Sequence, residues 1–286
     1  GRAVALFGDW YRLYPAAGES AADLVVSLLE HPAVAVVEPD YLVTADAAPD
    51  DPEYGRQWHM PQIQVEQAWG VTAGDGVVVA VIDTGVDPNG ADGFCLPIAA
   101  WYDGVGEESY TGEPEESKRL DKNQHGTHVA GTVAGCAGNG TGVVGVAPEA
   151  QIMAVKVLNR NGGGSLSAVA AGIVWAADNG ADVINMSLGA GCAAAWPSCS
   201  SAIINDAIDY AAAEDVVIVA SAGNDNRAFA GVPGNHPEVI AVSATRYDRG
   251  KASYSNYGAA VDLAAPGGQS SQDLNGDGNP DGVLQE

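Results

Sequence analysis

The sequence has few basic residues: 12 Lys and Arg stand against 37 Asp and Glu, and the formal net charge is −25. Nucleic-acid backbones and anionic membrane surfaces are bound through clustered Lys and Arg, so this balance argues against both kinds of partner. The sequence also lacks an apolar run long enough to span a bilayer. What remains is the composition of a globular protein with an acidic, solubilising surface, and such a surface is a natural place for calcium.

Cysteine is also scarce, with four residues and no C-x-x-C pair, which argues against a zinc site or a thioredoxin-type motif. Cys192 and Cys199 could close a short loop, and Cys95 with Cys136 would then complete the set. Four cysteines allow three connectivities, and free buried thiols are the alternative. The first residues lack an initiator Met and the pattern of a signal peptide, so we expect the chain to start inside a longer precursor.

Three regions differ in pattern along the chain. Residues 1–45 predict a helix followed by a short strand, and residues 46–57 are rich in Pro, Asp and Ala without periodicity, as in a linker. From residue 58 onward, apolar β-branched runs alternate with helix-like segments. This alternation predicts an α/β fold with a doubly wound, mostly parallel sheet covered by helices on both faces, which makes three layers.

Polar residues follow the apolar runs, where ligands of such sheets gather. Asp83 closes "VVVAVIDTG", His125 opens "HGTHVAGT", and Asn224 ends "VVIVASAGN". Each has an ordinary alternative: a turn cap for Asp83, a structural imidazole for His125, and a turn residue for Asn224. The order and setting of the three segments together resemble the subtilisin-like serine proteases (subtilases). The resemblance runs from about Trp58 to Pro266.

The resemblance implies a subtilisin-like fold and an Asp–His–Ser mechanism. A serine hydroxyl is a weak nucleophile, so a base such as His125 must take its proton. Asp83 would hold that imidazole in one tautomer, and the Asn224 amide would donate to the oxyanion. An extended peptide would lie between two backbone rims, beside a specificity pocket. The residues implied for substrate binding are Gly162, Gly163, Gly164, Ser187, Leu188, Gly189, Ser221, Ala222 and Gly223.

The serine of this family lies in a Gly-Thr-Ser-Met-Ala-type segment downstream of Ala-Pro-Gly. The sequence contains "LAAPGG" but no such segment, and it contains no G-x-S-x-G elbow. We therefore expect the nucleophile beyond Glu286, and we predict that these 286 residues alone do not hydrolyse peptides.

Two segments predict calcium sites. "DLNGDGNPDG" places oxygen side chains at alternate positions, like the first half of a D-x-[DN]-x-[DN]-G loop, although the closing Glu is absent. A solvated Asp/Asn/Gly turn is the alternative. The ligands predicted in this loop are Asp273, Asn275, Asp277, Asn279 and Asp281. The family resemblance implies a second calcium site, made by Asp51, Asp92, Asn139, Thr141 and Val143.

Residues 1–45 resemble the second half of the family's inhibitory propeptide, especially at "HPAVAVVEPDYL". The resemblance therefore implies a partial α+β propeptide domain, a linker and mature N-terminus over 46–57, and a peptidase domain over 58–286. It further implies a secreted, monomeric, calcium-stabilised endopeptidase that acts on extended polypeptides and is inhibited by its own propeptide. The alternative is a non-catalytic relative that binds calcium and peptides as a scaffold. A nucleotide site at Gly140, Gly142 and Gly145 lacks the required preceding strand and following helix.

Overall fold

The computed structural model describes residues 2–6, 8–16, 18, 20–29, 31–38, 49–90, 92–105, 121–190 and 200–285, and the backbone of 108–110. The chain divides into two compact units, Gly1–Asp46 and Ala47–Glu286.

The first unit contains an antiparallel pair of strands and one helix. Strand β1 (Arg2–Ala5) pairs with β2 (Tyr11–Tyr14), and helix α1 spans Ala21–Leu29. Ser20 and Asp23 form a capping box at the start of α1: the Asp23 N–H donates to Ser20 Oγ, and the Ser20 N–H donates to Asp23 Oδ2. The helix and strand that the sequence predicts are thus present in part, because the predicted strand near residue 35 is irregular.

The second unit is built on an eight-stranded sheet in the order β10-β9-β8-β7-β3-β6-β4-β5. Seven strands run parallel, and β5 joins β4 antiparallel at one edge. The strands are β3 (Val78–Asp83), β4 (Ala100–Asp103), β5 (Glu108–Tyr110), β6 (Gln151–Lys156), β7 (Val183–Met186), β8 (Val217–Ser221), β9 (Val239–Thr245) and β10 (Leu263–Pro266). A small hairpin of β11 (Gly268–Gln269) and β12 (Asp281–Gly282) follows.

Helices cover both faces of this sheet. The helices of this unit are α2 (His59–Gln62), α3 (Val65–Trp69), α4 (His125–Ala134), α5 (Leu166–Asp178) and α6 (Ala202–Ala213), with a 3₁₀ turn at Tyr54–Arg56. Because side chains alternate along a strand, Ala80 and Ile82 of β3 pack in the core that contains α5 and α6, whereas Val79 and Val81 pack in the core that contains α4. The prediction of a three-layer parallel α/β fold is confirmed.

Strand β3 lies at the point where the strand order reverses. Its two neighbours, β6 and β7, lie on opposite sides of it, although they follow each other in sequence. In open parallel sheets, ligands bind beyond the carboxyl ends of strands at such a switch point. Asp83 is the last residue of β3, so the topology places it there. In the described part of the chain, no helix is long and apolar enough to cross a membrane.

Candidate active site

The carboxylate of Asp83 and the imidazole of His125 meet at the end of β3. His125 Nδ1 lies 2.8 Å from Asp83 Oδ1 and 2.9 Å from Oδ2. The Asp83 side chain is fully buried, whereas half of the His125 side chain is exposed. The Thr84 N–H also donates to Asp83 Oδ1, at 2.7 Å. The buried acid therefore binds one edge of the ring and leaves the rest of the ring open toward solvent.

A glycine lets helix α4 approach β3 closely enough for this pair to form. A Cβ atom on Gly126 would lie 2.1 Å from the carbonyl oxygen of Gly85 and 3.1 Å from Asp83 Cβ, so no larger residue fits. The Gly126 N–H donates to Thr84 Oγ1 at 2.9 Å. Gly126 lowers the helix propensity of "HGTHVAGT", but the close packing between the first turn of α4 and the end of β3 requires a glycine there.

A second buried carboxylate, Asp121, organises the start of α4, and the sequence reasoning missed it. It is 5% exposed, and its Oδ2 accepts from both the N–H and the hydroxyl of Thr127, each at 2.9 Å. Burial alone would raise the pKa of Asp121, but these hydrogen bonds lower it below its usual range. An Asp just before a predicted helix start is the signal that could have identified this residue.

The surroundings of His125 raise its pKa above the ordinary value for histidine. The hydrogen bond from its ring to Asp83 is the main cause that raises the pKa of His125; burial opposes this, and the negative charges of Asp83 and Asp121 add to it. An imidazole in this setting holds its proton on Nδ1 and gains a stabilised cationic form. This is the behaviour required of a base that takes a proton at Nε2.

Lys156 supports the turn that follows Asp83. It is the register partner of Asp83 across β3 and β6, and its Nζ donates to the carbonyl oxygens of Thr84 and, at 2.8 Å, Leu158. Burial lowers the pKa of Lys156, and the neighbouring carboxylates of Asp121, Asp103 and Asp83 oppose that change.

His125 lines a cleft of about 490 Å³ together with both predicted backbone rims. Gly162, Gly163 and Gly164 form one wall, and Ser187, Leu188 and Gly189 form another. The apolar floor includes Leu158, Leu166, Val169, Ile204 and Val232. Two open stretches of backbone over an apolar floor suit an extended chain that is held through its main-chain groups.

The substrate-binding residues predicted at the end of β8 and just beyond it lie next to this cleft, outside its lining. Ser221 ends β8, Ala222 is buried, and Gly223 adopts a φ of +108°. The Ala222 carbonyl accepts from the Gly231 N–H, which precedes the lining residues Val232 and Pro233. Asn224 is exposed, and its side chain makes no hydrogen bond to the described residues.

The residues predicted for the second calcium site converge. Asp51, which is 4% exposed, accepts from the backbone N–H of Gly138 at 2.7 Å and of Asn139 at 3.4 Å. Asp92 accepts from the Asn139 amide at 3.1 Å and from the Val143 N–H at 2.6 Å. Thr141 donates its N–H to Asn139 Oδ1. Asp51, Asp92, Asn139, Thr141 and Val143 thus form one connected cluster.

The loop of residues 273–281 folds around Asp273. Asp273 accepts from the N–H groups of Gly276 at 2.8 Å and Gly278 at 3.0 Å. Asn275 and Asp277 each accept from a backbone N–H two residues on, that of Asp277 and that of Asn279. Across the described residues, however, no three His, Cys, Asp or Glu side chains come together as a ready metal cluster. An ion here would also need amide and carbonyl oxygens.

Asp281 closes this loop and is 1% exposed. Its Oδ2 accepts from the Leu274 N–H at 2.5 Å, while its Oδ1 is buried and makes no hydrogen bond within the described part of the chain. The following residue, Gly282, accepts from the Trp58 indole at 2.9 Å, which attaches the loop to the body of the domain.

Cys95 and Cys136 form a disulfide, with their Cα atoms 4.7 Å apart. One of the three connectivities allowed by the sequence is therefore present, and free thiols are excluded for this pair. The other predicted pair, Cys192 and Cys199, lies outside the described residues.

Comparisons with known proteins agree with this geometry. Residues 74–284 match the model of the subtilase family, described as Peptidase_S8. The chain is 41% identical to a thermophilic serine proteinase of Bacillus sp. (strain AK1), over 85% of this chain and 57% of that protein. It is 39% identical to thermitase of Thermoactinomyces vulgaris, over 77% of this chain and 73% of that protein. It thus spans little more than half the length of the Bacillus proteinase.

Solved structures give the same result. Proteases from Pseudoalteromonas arctica match with a TM-score of 0.68 and 34% identity, over 84% of this chain and 82% of that chain. A cold-adapted subtilisin-like serine proteinase matches with a TM-score of 0.58 and 34% identity, over 69% of this chain and 65% of that chain. With the Asp83–His125 pair at the switch point of the sheet, these matches establish that the chain belongs to the subtilase family.

Proposed function

We propose that this chain is part of a secreted serine endopeptidase. The observation that carries the proposal is the hydrogen-bonded pair of Asp83 and His125 on the edge of a cleft with two open backbone walls. The relatives of this chain are named proteinases, and two of them, from Bacillus subtilis and Xanthomonas campestris, are named as extracellular proteases.

His125 acts as the base that takes the proton of the attacking hydroxyl and returns it to the leaving amine. Asp83 fixes the ring with Nδ1 protonated, so that Nε2 is free to accept, and it stabilises the imidazolium. Within the described residues, no hydroxyl is hydrogen-bonded to His125 Nε2. We expect the nucleophile on a Gly-Thr-Ser-type segment, which these 286 residues do not contain.

Asn224 supplies the side-chain N–H that stabilises the oxyanion. Its position three residues after the end of β8 and its exposure support this role, because no described residue occupies its side-chain N–H, which is therefore available to an oxyanion. Removal of such a donor costs about 10²–10³-fold in kcat.

The substrate is a polypeptide in extended conformation. Gly162 to Gly164 and Ser187 to Gly189 would pair with its main chain from two sides, and the apolar floor would take one side chain. Ser221, Ala222 and Gly223 would form the wall of the pocket on the β8 side. Because most contacts are with the main chain, we expect broad sequence tolerance.

Calcium stabilises the fold at two places. In the loop 273–281, Gly278 is the sixth residue counted from Asp273, the position at which calcium loops turn sharply, and it has a φ of +86°. The buried, unpartnered oxygen of Asp281 is an oxygen ligand that a cation would satisfy. The residues that would hold the ion are Asp273, Asn275, Asp277, Asn279 and Asp281. A bound ion would cross-link the loop; it takes no part in the proton transfers.

The cluster of Asp51, Asp92, Asn139, Thr141 and Val143 would hold a second ion. The carboxylates of Asp51 and Asp92 both accept hydrogen bonds from Asn139, one from its backbone N–H and the other from its side-chain amide. Their closeness supports this proposal. The first unit, Gly1–Asp46, would serve as an inhibitory propeptide, and the mature enzyme would be a monomer.

The test is hydrolysis of casein and of a fluorogenic peptide by the full-length gene product. We expect Asp83→Asn to lower kcat about 10⁴-fold. Asp209→Asn is the matched control, because that side chain is 66% exposed and lies on α6, outside the cleft. No hydrolysis by the full-length protein, or equal activity of both variants, would contradict the proposal; the scaffold alternative would then be favoured.

A further inference from the structure

The amide side chain of Asn256 is buried under the loop that carries Asn224. Asn256 is 1% exposed. Its Oδ1 accepts from the N–H groups of Asp225 and Arg227, each at 3.0 Å, and its Nδ2 donates to the Ala222 carbonyl at 3.0 Å. One side chain therefore binds the backbone on both sides of Asn224.

The backbone of Asn256 adds a further bond to the same loop. Its N–H donates to the Gly223 carbonyl at 2.8 Å. A Cβ atom on Gly223 would lie 2.5 Å from Asn256 Nδ2, so the glycine, with φ at +108°, lets the amide approach. The Tyr257 N–H and the Asn226 N–H complete the junction by donating to the carbonyls of Arg227 and Tyr254. Hydrogen bonds thus join residues 222–227 to residues 254–257 on both sides of Asn224.

The segment that holds Asn256 is itself fixed. The neighbouring Ser255 is buried, and its hydroxyl accepts from the Ala244 N–H of β9 at 2.8 Å. The ammonium group of Lys251 donates to the Ser255 carbonyl at 3.0 Å and to Asn226 Oδ1 at 2.8 Å. The central sheet therefore supports Asn256, and Asn256 supports the loop.

We propose that Asn256 is a positioning residue for the oxyanion hole. Asn224 makes no hydrogen bond of its own to the described residues, so the direction of its amide depends on the backbone that carries it. An oxyanion donor is effective only when it is fixed before the charge develops, within about 3 Å of the oxyanion. Asn256 supplies that rigidity. This inference rests on the proposed function, since it requires Asn224 to act as the donor.

The test is a double-mutant cycle in the full-length protease with a fluorogenic peptide. We expect Asn224→Ala to lower kcat about 10²–10³-fold. We expect Asn256→Ala to lower kcat at least about tenfold with KM changed less than about twofold, because a displaced donor weakens the transition state more than substrate binding. The double variant should be no slower than Asn224→Ala alone, since Asn256 acts through Asn224.

Two further variants separate positioning from folding. Asn256→Asp keeps the acceptor for Asp225 and Arg227 but loses the donor to the Ala222 carbonyl, so its kcat should lie between those of the wild type and Asn256→Ala. Asn179→Ala, at the end of α5 and away from the cleft, should match the wild type. If Asn256→Ala does not fold, the cycle is measured with Asn256→Asp.

The outcomes distinguish the two proposals. If Asn224→Ala keeps full kcat, the oxyanion role of Asn224 is wrong, and the inference falls with it. If Asn224→Ala is slow but the change at Asn256 leaves kcat intact, or if the two losses multiply in the double variant, only the positioning role of Asn256 is overturned.

Discussion

Acid should destabilise the second unit, Ala47–Glu286, through His59. His59 is 4% exposed, and neither of its ring nitrogens has a hydrogen-bond partner among the residues that the structure describes. Burial, helped by the nearby His128, lowers the pKa of His59 to about 4 from an ordinary value of 6.5. Burial is also the main cause that lowers the pKa of His128, so protonation of His128 should likewise reduce stability in acid.

The size and sign of the effect follow from proton linkage. Below pH 6.5 the unfolded chain protonates His59, whereas the folded chain does not until about pH 4. Stability is therefore complete above about pH 6.5 and is lost as the pH falls toward about 4. The difference between the two pKa values corresponds to a loss of about 3 kcal/mol.

Urea unfolding at saturating calcium, at pH 7.5 and at pH 4.5, measures this loss. His59→Phe keeps a ring beside Trp58. Between the two pH values, we expect its free energy of unfolding to fall by about 2–3 kcal/mol less than that of the wild type. His31→Gln, a change at an exposed histidine of the first unit, should behave like the wild type. If His59→Phe loses as much stability as the wild type, the reasoning is refuted.

Three more predictions concern the site and its supports. The pH profile of kcat/KM should fall on the acid side at a pKa above the ordinary value of histidine, because Asp83 raises the pKa of His125; Asp83→Asn should move that limb to lower pH. Chelation of calcium should lower the unfolding free energy by about 3 kcal/mol for each of the two sites, relative to calcium at 100 times the Kd of that site, as followed by thermal unfolding. Asp277→Asn should reduce this difference and the exposed Asp75→Asn should not; equal responses would argue against the loop site. Removal of the disulfide, which closes a separation of 41 residues, should cost about 4 kcal/mol in urea unfolding, and an unchanged midpoint would contradict this.

The parallel sheet and the positions of Asp83 and His125 could be predicted because their signals are local. Asp83 ends a continuous apolar run, and His125 begins a short motif rich in glycine, so each of the two could be placed at the end of an element. The parallel sheet followed from the alternation of apolar runs and helix-like segments.

The supporting residues could not be found this way. Asn256 contacts a loop 29 to 34 residues earlier in the chain, and His59 and His128, which are distant in the sequence, are neighbours only in the folded structure. Asn is an ordinary turn residue and His59 stands in no recognisable motif, so neither has a distinctive local pattern. The unpartnered oxygen of Asp281 likewise depends on burial, which spacing alone does not reveal.

The most direct measurement is a crystal structure of the full-length protease with a peptide boronate bound to its nucleophile. The account predicts a boronate oxygen within about 3 Å of the Asn224 side-chain nitrogen, His125 Nε2 beside the nucleophilic oxygen, and Asp83 still bound to Nδ1. An Asn224 amide turned away from the adduct, or a His125 ring separated from Asp83, would contradict it.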